Sequence, residues 1–361
     1  MVDIVSQSAY DSPQPLFTNN SLMTPRMESL AVVVPKKKAE QVKRRLMEKS
    51  ALRTDLLVES DAKNVYFPVN QHLELGFEVV TRPFKEQKQI VSDYRELIEL
   101  PEELKPLLPS SFDIIGHVAI VKLPDELLPH AKAIGKAIAQ ANKPVKTVCL
   151  DGGVKGESRT RELKILYGSK DTVTTYKEHG LTFKVDPRTM FFSPRLATER
   201  KTIADQVTIG ERVFDMFAGV GPFSILIAKT RSPEKVFACD INKQAYDLLL
   251  ENIQMNKVSG VVFPLLGDAR EIASQVPTVN RIIMNLPHSA FEFLDVAASK
   301  IAEEGAIHYY EILEQDALEN RIQEIKNRLG EMGKPVAEVN IRIVKSYSPT
   351  MRFYAMDISI T

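Results

Sequence analysis

Residues 212–240, RVFDMFAGVGPFSILIAKTRSPEKVFACD, constrain the fold more than any other stretch of the chain. They read as a buried strand (Val213 to Phe217), a turn of small residues (Ala218, Gly219, Val220, Gly221), a helix opened by Pro222, and a second strand (Lys235 to Asp240) that ends on an acid. Proline suits the first helical turn because its missing N–H would be unsatisfied there anyway, and the two glycines let a ligand come close to backbone amides. Asp240 follows the turn by about 20 residues, where a carboxylate at the tip of a second parallel strand can bond a ribose. This is the outline of a nucleotide-type site. It departs from the dinucleotide fingerprint, since Ser224 stands in place of the third glycine, and no phosphate-binding Lys follows as in a P-loop.

Downstream the α/β rhythm is regular. Strands are expected at 213–217, 235–240, 261–266, 281–286 and 306–312, and helices at 222–229, 243–255, 270–275, 289–303 and 315–329. The strands are short continuous apolar runs, as a parallel sheet covered on both faces requires. The chain closes differently: NIRIVKSYSPTMRFYAMDISI predicts two strands joined by a tight SPT turn, an antiparallel hairpin at one sheet edge. A parallel sheet with such a hairpin is the architecture of S-adenosyl-L-methionine (AdoMet) methyltransferases rather than of dehydrogenases, an argument by fold analogy. Ligands bind at the carboxyl ends of such strands, where Asp240, Asp268 (LLGDAR) and Asn285 with Pro287 (MNLPHSAFEF) should converge. In a methyltransferase the turn 218–221 would take the methionine part of AdoMet, Asp240 the ribose hydroxyls and Asp268 a place beside the adenine. A single acid at a strand end is as readily a helix N-cap; three polar groups at three successive strand ends point to a site.

The earlier chain falls into smaller pieces. Residues 1–28 are polar and aperiodic and are expected to form a mobile extension. Residues 29–84 predict a small α+β module: a strand at LAVVVP, a basic amphipathic helix from Lys36 to Lys49, and a strand at NVYFP. Residues 85–180 predict an α+β middle domain with helices at 94–100 and 127–141 and strands at 112–122 and 145–150, and residues 181–361 hold the nucleotide-type domain. GESRTRE, within a Gly- and Arg-rich connection, is a candidate contact loop, with a solvent-exposed hairpin as its plain alternative. In LTFKVDPRTMFFSPRLATER a helix begins with Glu199 and Arg200 in its first turns. An Arg there opposes the helix macrodipole and needs an anionic partner, either phosphate or a buried acid.

Net charge is zero, with 47 basic and 47 acidic residues, which argues against a bulk nucleic-acid binder. Distribution qualifies this. Six of the ten residues in KKKAEQVKRR (36–45) are basic, and Lys155, Arg159, Arg161 and Lys164 crowd a second stretch. The two cysteines, Cys149 and Cys239, are too few for a disulfide framework and are expected to be core thiols. No apolar run approaches a membrane span, and a cytoplasmic monomer is expected, away from membranes. No His, Cys or carboxylate set has metal-ligand spacing, so His288 and His308 are read as structural or supporting groups and no metal is expected.

Taken together, GESRTRE, FFSPRLATER, DMFAGVGPFSI, ACDIN, GDAR, MNLPHSAFEFLD, IHYYEI and IVKSYSP resemble the archaeal and eukaryotic tRNA (guanine-N1-)-methyltransferases that act at position 37, beside the anticodon. The resemblance implies three domains: a small module touching the tRNA elbow, a middle RNA-binding domain, and a Rossmann-like AdoMet domain. It implies AdoMet contacts at Phe217, Ala218, Gly219, Val220, Gly221, Asp240, Ile241, Asp268, Ala269 and Asn285. By position, Glu199 resembles the general base and Arg159 the residue that stabilises guanine O6. Asn285, Pro287 and Phe191 would line the target-base pocket, with Arg195 and Arg200 holding the loop and backbone phosphates. Phe191 departs from relatives that carry Tyr, which removes a hydroxyl and keeps a stacking face. A base carboxylate would need burial to raise its proton affinity.

Other readings remain at this point. A wyosine-pathway enzyme of the same fold would transfer an aminocarboxypropyl group or methylate a tricyclic guanine, although NLP favours plain guanine methylation. An NAD-dependent dehydrogenase is opposed by Ser224 and the terminal hairpin, and a non-catalytic tRNA-binding protein by the Glu199, Arg159 and Asp240 set.

Overall fold

The computed structural model describes residues 26–87, 93–155 and 160–361. The chain divides into two compact units, 1–90 and 91–361. Most of the expected extension, residues 1–25, lies outside the described residues, but its last three do not: strand β1 (Arg26–Pro35) already begins at Arg26.

In the first unit β1 is followed by α1 (Ala39–Glu48), β2 (Glu59–Ser60), β3 (Asn64–Val69) and β4 (Val79–Lys85), forming a sheet in the order β2-β3-β1-β4. Val32, Val34, Phe67 and Val69 bury one sheet face against Val42 and Leu46 of α1, the apolar positions four residues apart on that helix. The lysines 36–38 form a 3-10 turn before α1 rather than its first turn. Phe84 is fully buried and Gln87 still donates its N–H to the Asp55 carbonyl, so this unit runs past the expected boundary at 84.

The second unit opens with a four-stranded sheet, β5-β6-β7-β8, formed by β5 (Asp113–Ile115), β6 (Val118–Val121), β7 (Thr147–Lys155) and β8 (Thr160–Gly168). Helix α2 (Ala131–Ala141) crosses between the parallel strands β6 and β7 and buries Ile134, Ala137 and Ile138. The strand expected over 112–122 is broken in two by Gly116. Its φ of +56° is costly for a side chain, and a Cβ there would lie 2.1 Å from the Thr174 hydroxyl. The helix expected over 94–100 is only a 3-10 turn, Tyr94–Leu97, since Ile98 is already extended ahead of Pro101.

A hairpin of β9 (Thr174–Glu178) and β10 (Leu181–Val185) follows, and the expected domain boundary at 180/181 cuts through its tip. The hairpin is fastened to the next domain by side-chain amides: Asn252 and Asn256 each bond both the N–H and the carbonyl of one β10 residue, Lys184 and Thr182 respectively. Both asparagines belong to or just follow α5, introduced below. They serve the backbone groups of a strand that has no second neighbour.

The remaining elements are α3 (Ala197–Gln206), β11 (Arg212–Asp215), α4 (Pro222–Thr230), β12 (Lys235–Asp240), α5 (Lys243–Met255), β13 (Val262–Leu266), α6 (Ala269–Ile272), β14 (Val279–Met284), α7 (Leu294–Lys300), β15 (Ile301–Glu314), α8 (Leu318–Glu331), β16 (Val336–Ser346) and β17 (Met351–Ile360). The sheet order is β13-β12-β11-β14-β15-β17-β16, parallel through β15, with β17 and β16 antiparallel, as expected of a Rossmann-like methyltransferase sheet. One face packs on a core with Phe223, Ile225, Leu249, Ile203 and Tyr310, the other on one with Leu294, Ile325, Tyr309 and Met356. The expected helix 289–303 stops at Lys300, because Ile301 already pairs with Val279 and Glu304 turns at a φ of +58°. Cys149 and Cys239 are buried free thiols, as expected. Among the described residues no helix is long and apolar enough to cross a membrane, and no group of three or more His, Cys, Asp or Glu could hold a metal.

Candidate active site

The turn after β11 is held from both sides. Ala218 donates its N–H to the Cys239 carbonyl at 2.7 Å, and Gly219 donates its N–H to Asp240 Oδ2 at 2.6 Å. Asp240 Oδ1 accepts from Asn242 N–H at 2.8 Å, and the Asn242 side chain caps α5. Gly219 and Gly221 take left-handed backbones, φ +56° and +84°. They do different work. Around a Cβ at Gly219 the nearest atom would be 3.9 Å away, so the residue keeps open space, whereas at Gly221 a Cβ would meet Leu249 Cδ1 at 2.4 Å. Gly221 therefore serves close helix–turn packing, and its neighbours Val220 and Pro222 line the cavity described next.

That cavity lies at the carboxyl ends of β11, β12, β13 and β14. Phe217, Ala218, Gly219, Val220, Asp240, Ile241, Asp268, Ala269 and Asn285 line it, together with Met190, Phe191, Asn242 and Leu286. Asp268 also caps α6, accepting from Arg270 N–H at 2.8 Å, so one acid both caps a helix and lines the cavity. A second cavity is lined by Phe191, Asn285, Pro287, His288, Glu292, Lys122, Asp151, Arg270, Lys345, Tyr347 and Phe353 among others. The two share Phe191, Leu196, Asn285 and Leu286 and so are contiguous. Sequence reasoning passed over Lys122, Asp151, Lys345 and Tyr347, although Lys345 and Tyr347 stand inside the quoted IVKSYSP motif.

The remaining assignments separate. Arg159 lies outside the described residues. Arg195 is half exposed and paired with Asp113 at 2.7 Å, and it lines neither cavity, although the next residue, Leu196, lines both. Arg200 is buried, forms a bidentate pair with the buried Glu178 and donates to the Ser193 carbonyl. This satisfies the anionic partner that its place in the helix demanded and holds the FFSPR loop, while Arg200 also lines the first cavity. Glu199 is buried on α3 and lines neither cavity. Its Oε1 accepts from Tyr310 Oη at 2.9 Å and from Arg342 Nη2 at 2.8 Å. Arg342 bridges on to Asp357, which accepts from His308 Nδ1 at 2.7 Å and from Gln206. Because Arg281 Nη1 can only donate to His308 Nε2, His308 is neutral with its proton on Nδ1, and burial pushes its pKa down. Burial works to raise the Asp357 carboxyl, but the bonds from His308 and Arg342 outweigh it and hold it low. His308 is thus structural, as expected, and His288 stands edge-on to Tyr347 at the second cavity.

Asp215, behind the turn, is fully buried. Burial raises its pKa from 3.8 to about 7, against a bond from Ser224 Oγ at 2.7 Å, and the Asp240 charge pushes the same way. Since the folded value exceeds the unfolded one, Asp215 costs nothing at pH below about 4, and its penalty grows as pH rises toward about 7. At about 1.4 kcal/mol per pH unit the total is about 4 kcal/mol. Asp215→Asn is expected to raise the melting temperature far more at pH 8 than at pH 4.5. Equal shifts at both would show that Asp215 is ionised in the folded state throughout.

With this geometry in view, residues 174–341 match the family model described as the TRM5/TYW2 methyltransferase domain, 94–172 the TYW2 N-terminal domain, and 31–77 the tRNA methyltransferase 5 N-terminal domain. The chain is 44% identical over 335 residues to tRNA (guanine(37)-N(1))-methyltransferase Trm5b of Pyrococcus abyssi, covering 92% of this chain and 99% of that protein. The chain belongs to the TRM5/TYW2 methyltransferase family. A solved complex of aTrm5 and tRNALeu superposes with a TM-score of 0.74 at 34% identity, over 92% of this chain and all of that one. The tRNA(Phe) (4-demethylwyosine(37)-C(7)) aminocarboxypropyltransferase of Pyrococcus horikoshii is 34% identical, but over 74% of this chain and 95% of its own. The chain is an enzyme of the family, and the methyltransferase relative accounts for more of it than the aminocarboxypropyl one does.

Proposed function

We propose that this enzyme transfers a methyl group from AdoMet to N1 of guanosine 37 in tRNA, with Glu199 as general base. The observation that carries the reading is the meeting of two cavities at Asn285, one built as a nucleoside site and the other open to a base. The residues of the first fit AdoMet. Asp240 offers a half-buried carboxylate for ribose hydroxyls, Gly219 leaves room where a side chain would intrude, and Met190, Phe191, Phe217 and Leu286 give the adenine apolar walls. When bound, AdoMet supplies an electrophilic methyl group on a cationic sulfur.

The chain's own residues make the acceptor reactive. Guanine N1 carries a proton and is a poor nucleophile until it leaves, and the departing proton places negative charge on O6. A carboxylate within reach of N1–H removes that proton, worth about 10² to 10⁴ in rate. A cation at O6, the role carried to Arg159 by resemblance, is an oxyanion-type stabiliser worth roughly 3 kcal/mol. Asn285 at the junction and Pro287 in the second cavity orient the base, and Phe191, on the walls of both cavities, offers it a stacking face. The base must leave the anticodon loop at a cost of a few kcal/mol, which contacts elsewhere on the tRNA offset.

Those contacts are assigned to the middle domain at the anticodon loop and to the first unit at the elbow, where Lys36–Lys38 and the basic helix α1 supply phosphate neutralisation. Deleting residues 1–84 is expected to weaken tRNA binding at least tenfold while leaving AdoMet binding intact, as read by filter binding and calorimetry; loss of both would make the unit structural. The activity itself is tested with labelled AdoMet and unmodified tRNA transcripts, followed by mass-spectrometric location of the methyl group. Label on any atom other than N1 of guanosine 37 would overturn the assignment, and transfer of the aminocarboxypropyl carbons would favour the wyosine-pathway reading.

A further inference from the structure

Two motifs, IHYYEI and NIRIVKSYSP, supply residues that the mechanism above does not use, Tyr310 and Arg342. The sheet register puts them in one row: Tyr310 of β15 pairs with Ala355 of β17, and Ala355 with Arg342 of β16. Both reach the same carboxylate oxygen on α3, Glu199 Oε1, at 2.9 and 2.8 Å. Glu199 Oε2 has no hydrogen-bond partner among the described residues, and it is not sealed in the core as an unsatisfied atom. The asymmetry is complete, with two donors on one oxygen and none on the other.

The surroundings place this carboxylate behind the junction of the cavities. The Tyr310 ring packs between Phe223, on the wall of the nucleoside cavity, and Phe353, on the wall of the base cavity. Leu196, three residues before Glu199, lines both. Arg342 is itself held by Asp357, which His308 and Gln206 anchor in turn. Burial and the neighbouring Glu199 keep the Tyr310 phenol protonated, hence a permanent donor.

We infer that Tyr310 and Arg342 are positioning residues that clamp Glu199 by Oε1 and so present Oε2 to the guanine N1 proton. In the step they support, the N1–H bond breaks, an Oε2–H bond forms, and the electron pair stays on N1 to take the methyl group. The terminal antiparallel hairpin thereby acquires a catalytic purpose beyond closing the sheet. The inference rests on the assignment of Glu199 as base, and its test separates the two.

Turnover at saturating AdoMet and tRNA transcript is compared for the wild type, Tyr310→Phe, Arg342→Gln, Glu199→Gln, and each of the first two combined with Glu199→Gln. Misplacing a reacting group by an ångström costs up to about 10²-fold, so Tyr310→Phe is expected to lower kcat about tenfold and Arg342→Gln about 10²-fold, with KM for both substrates unchanged. In the Glu199→Gln background neither change lowers the residual rate further. Should Arg342→Gln fail to fold once Asp357 loses its partner, Tyr310→Phe carries the test alone, because Phe keeps the ring packing. Wild-type kcat in Tyr310→Phe, or the same loss with and without Glu199, overturns the clamp while leaving Glu199 in place. Wild-type turnover by Glu199→Gln itself overturns the base assignment instead.

Discussion

Glu199→Gln is expected to lower methyl transfer at saturating AdoMet and tRNA by about 10²- to 10⁴-fold, the range that a positioned base contributes. The substitution isolates chemistry from architecture. A Gln side-chain oxygen can still accept from Tyr310 and Arg342, so the buried network through Asp357 and His308 keeps its bonds, and only the proton acceptor at Oε2 becomes an amide NH2. Affinities for AdoMet and tRNA should therefore stay near wild type, and the melting temperature should shift little. Glu199 is buried on α3, three residues after Leu196, and lines neither cavity, and catalytic bonds often tighten only when substrate is bound. Burst measurements of a single turnover would locate the loss in the chemical step. A variant that turns over at the wild-type rate with an unchanged melting curve would remove Glu199 from the mechanism.

What could be read from the sequence follows the range of the interactions involved. The alternation of short apolar runs with helices gave the parallel sheet, because each strand is buried by residues a few positions apart, and the SPT turn disclosed the terminal hairpin. Asp240 was recognisable from its spacing to the turn, since that distance is set by one helix and one strand. The packing role of Gly221 is not legible in the sequence, because glycine serves two needs that look alike there: room for a ligand, and room for the Leu249 side chain. The sequence leaves the partner of Arg200 open between phosphate and a buried acid for a comparable reason. Its demand for an anion was legible, but Glu178, which meets the demand, sits across a hairpin 22 residues earlier. The clamp on Glu199 joins residues 111 and 143 positions apart in the chain, and only the sheet register brings Tyr310 and Arg342 into one row. Helix ends failed where pairing overrode propensity, as at Ile301.

Asp240→Asn is expected to raise the dissociation constant for AdoMet by about 10- to 100-fold, the worth of a hydrogen bond to a charged group converted to affinity. The carboxylate has two tasks at once. Its oxygens accept from the Gly219 and Asn242 backbones at 2.6 and 2.8 Å, fixing the turn, and the residue lines the cavity where the ribose would lie. An amide cannot do both, because its NH2 must oppose one of those two backbone N–H groups. Burial raises the Asp240 pKa, while the backbone bonds from Asn242 and Gly219 pull the other way without cancelling it. The ionised form is the one that accepts from ribose hydroxyls, so affinity should be level at neutral and higher pH. It should fall as acid protonates the group, at a higher pH than an exposed aspartate would allow. Calorimetric titration of AdoMet from pH 8 to pH 5 should show wild-type affinity declining toward the acid end and the variant nearly flat. A variant as tight as wild type, or a variant that weakens with acid in parallel with it, would mean that Asp240 orders the turn without holding the ribose.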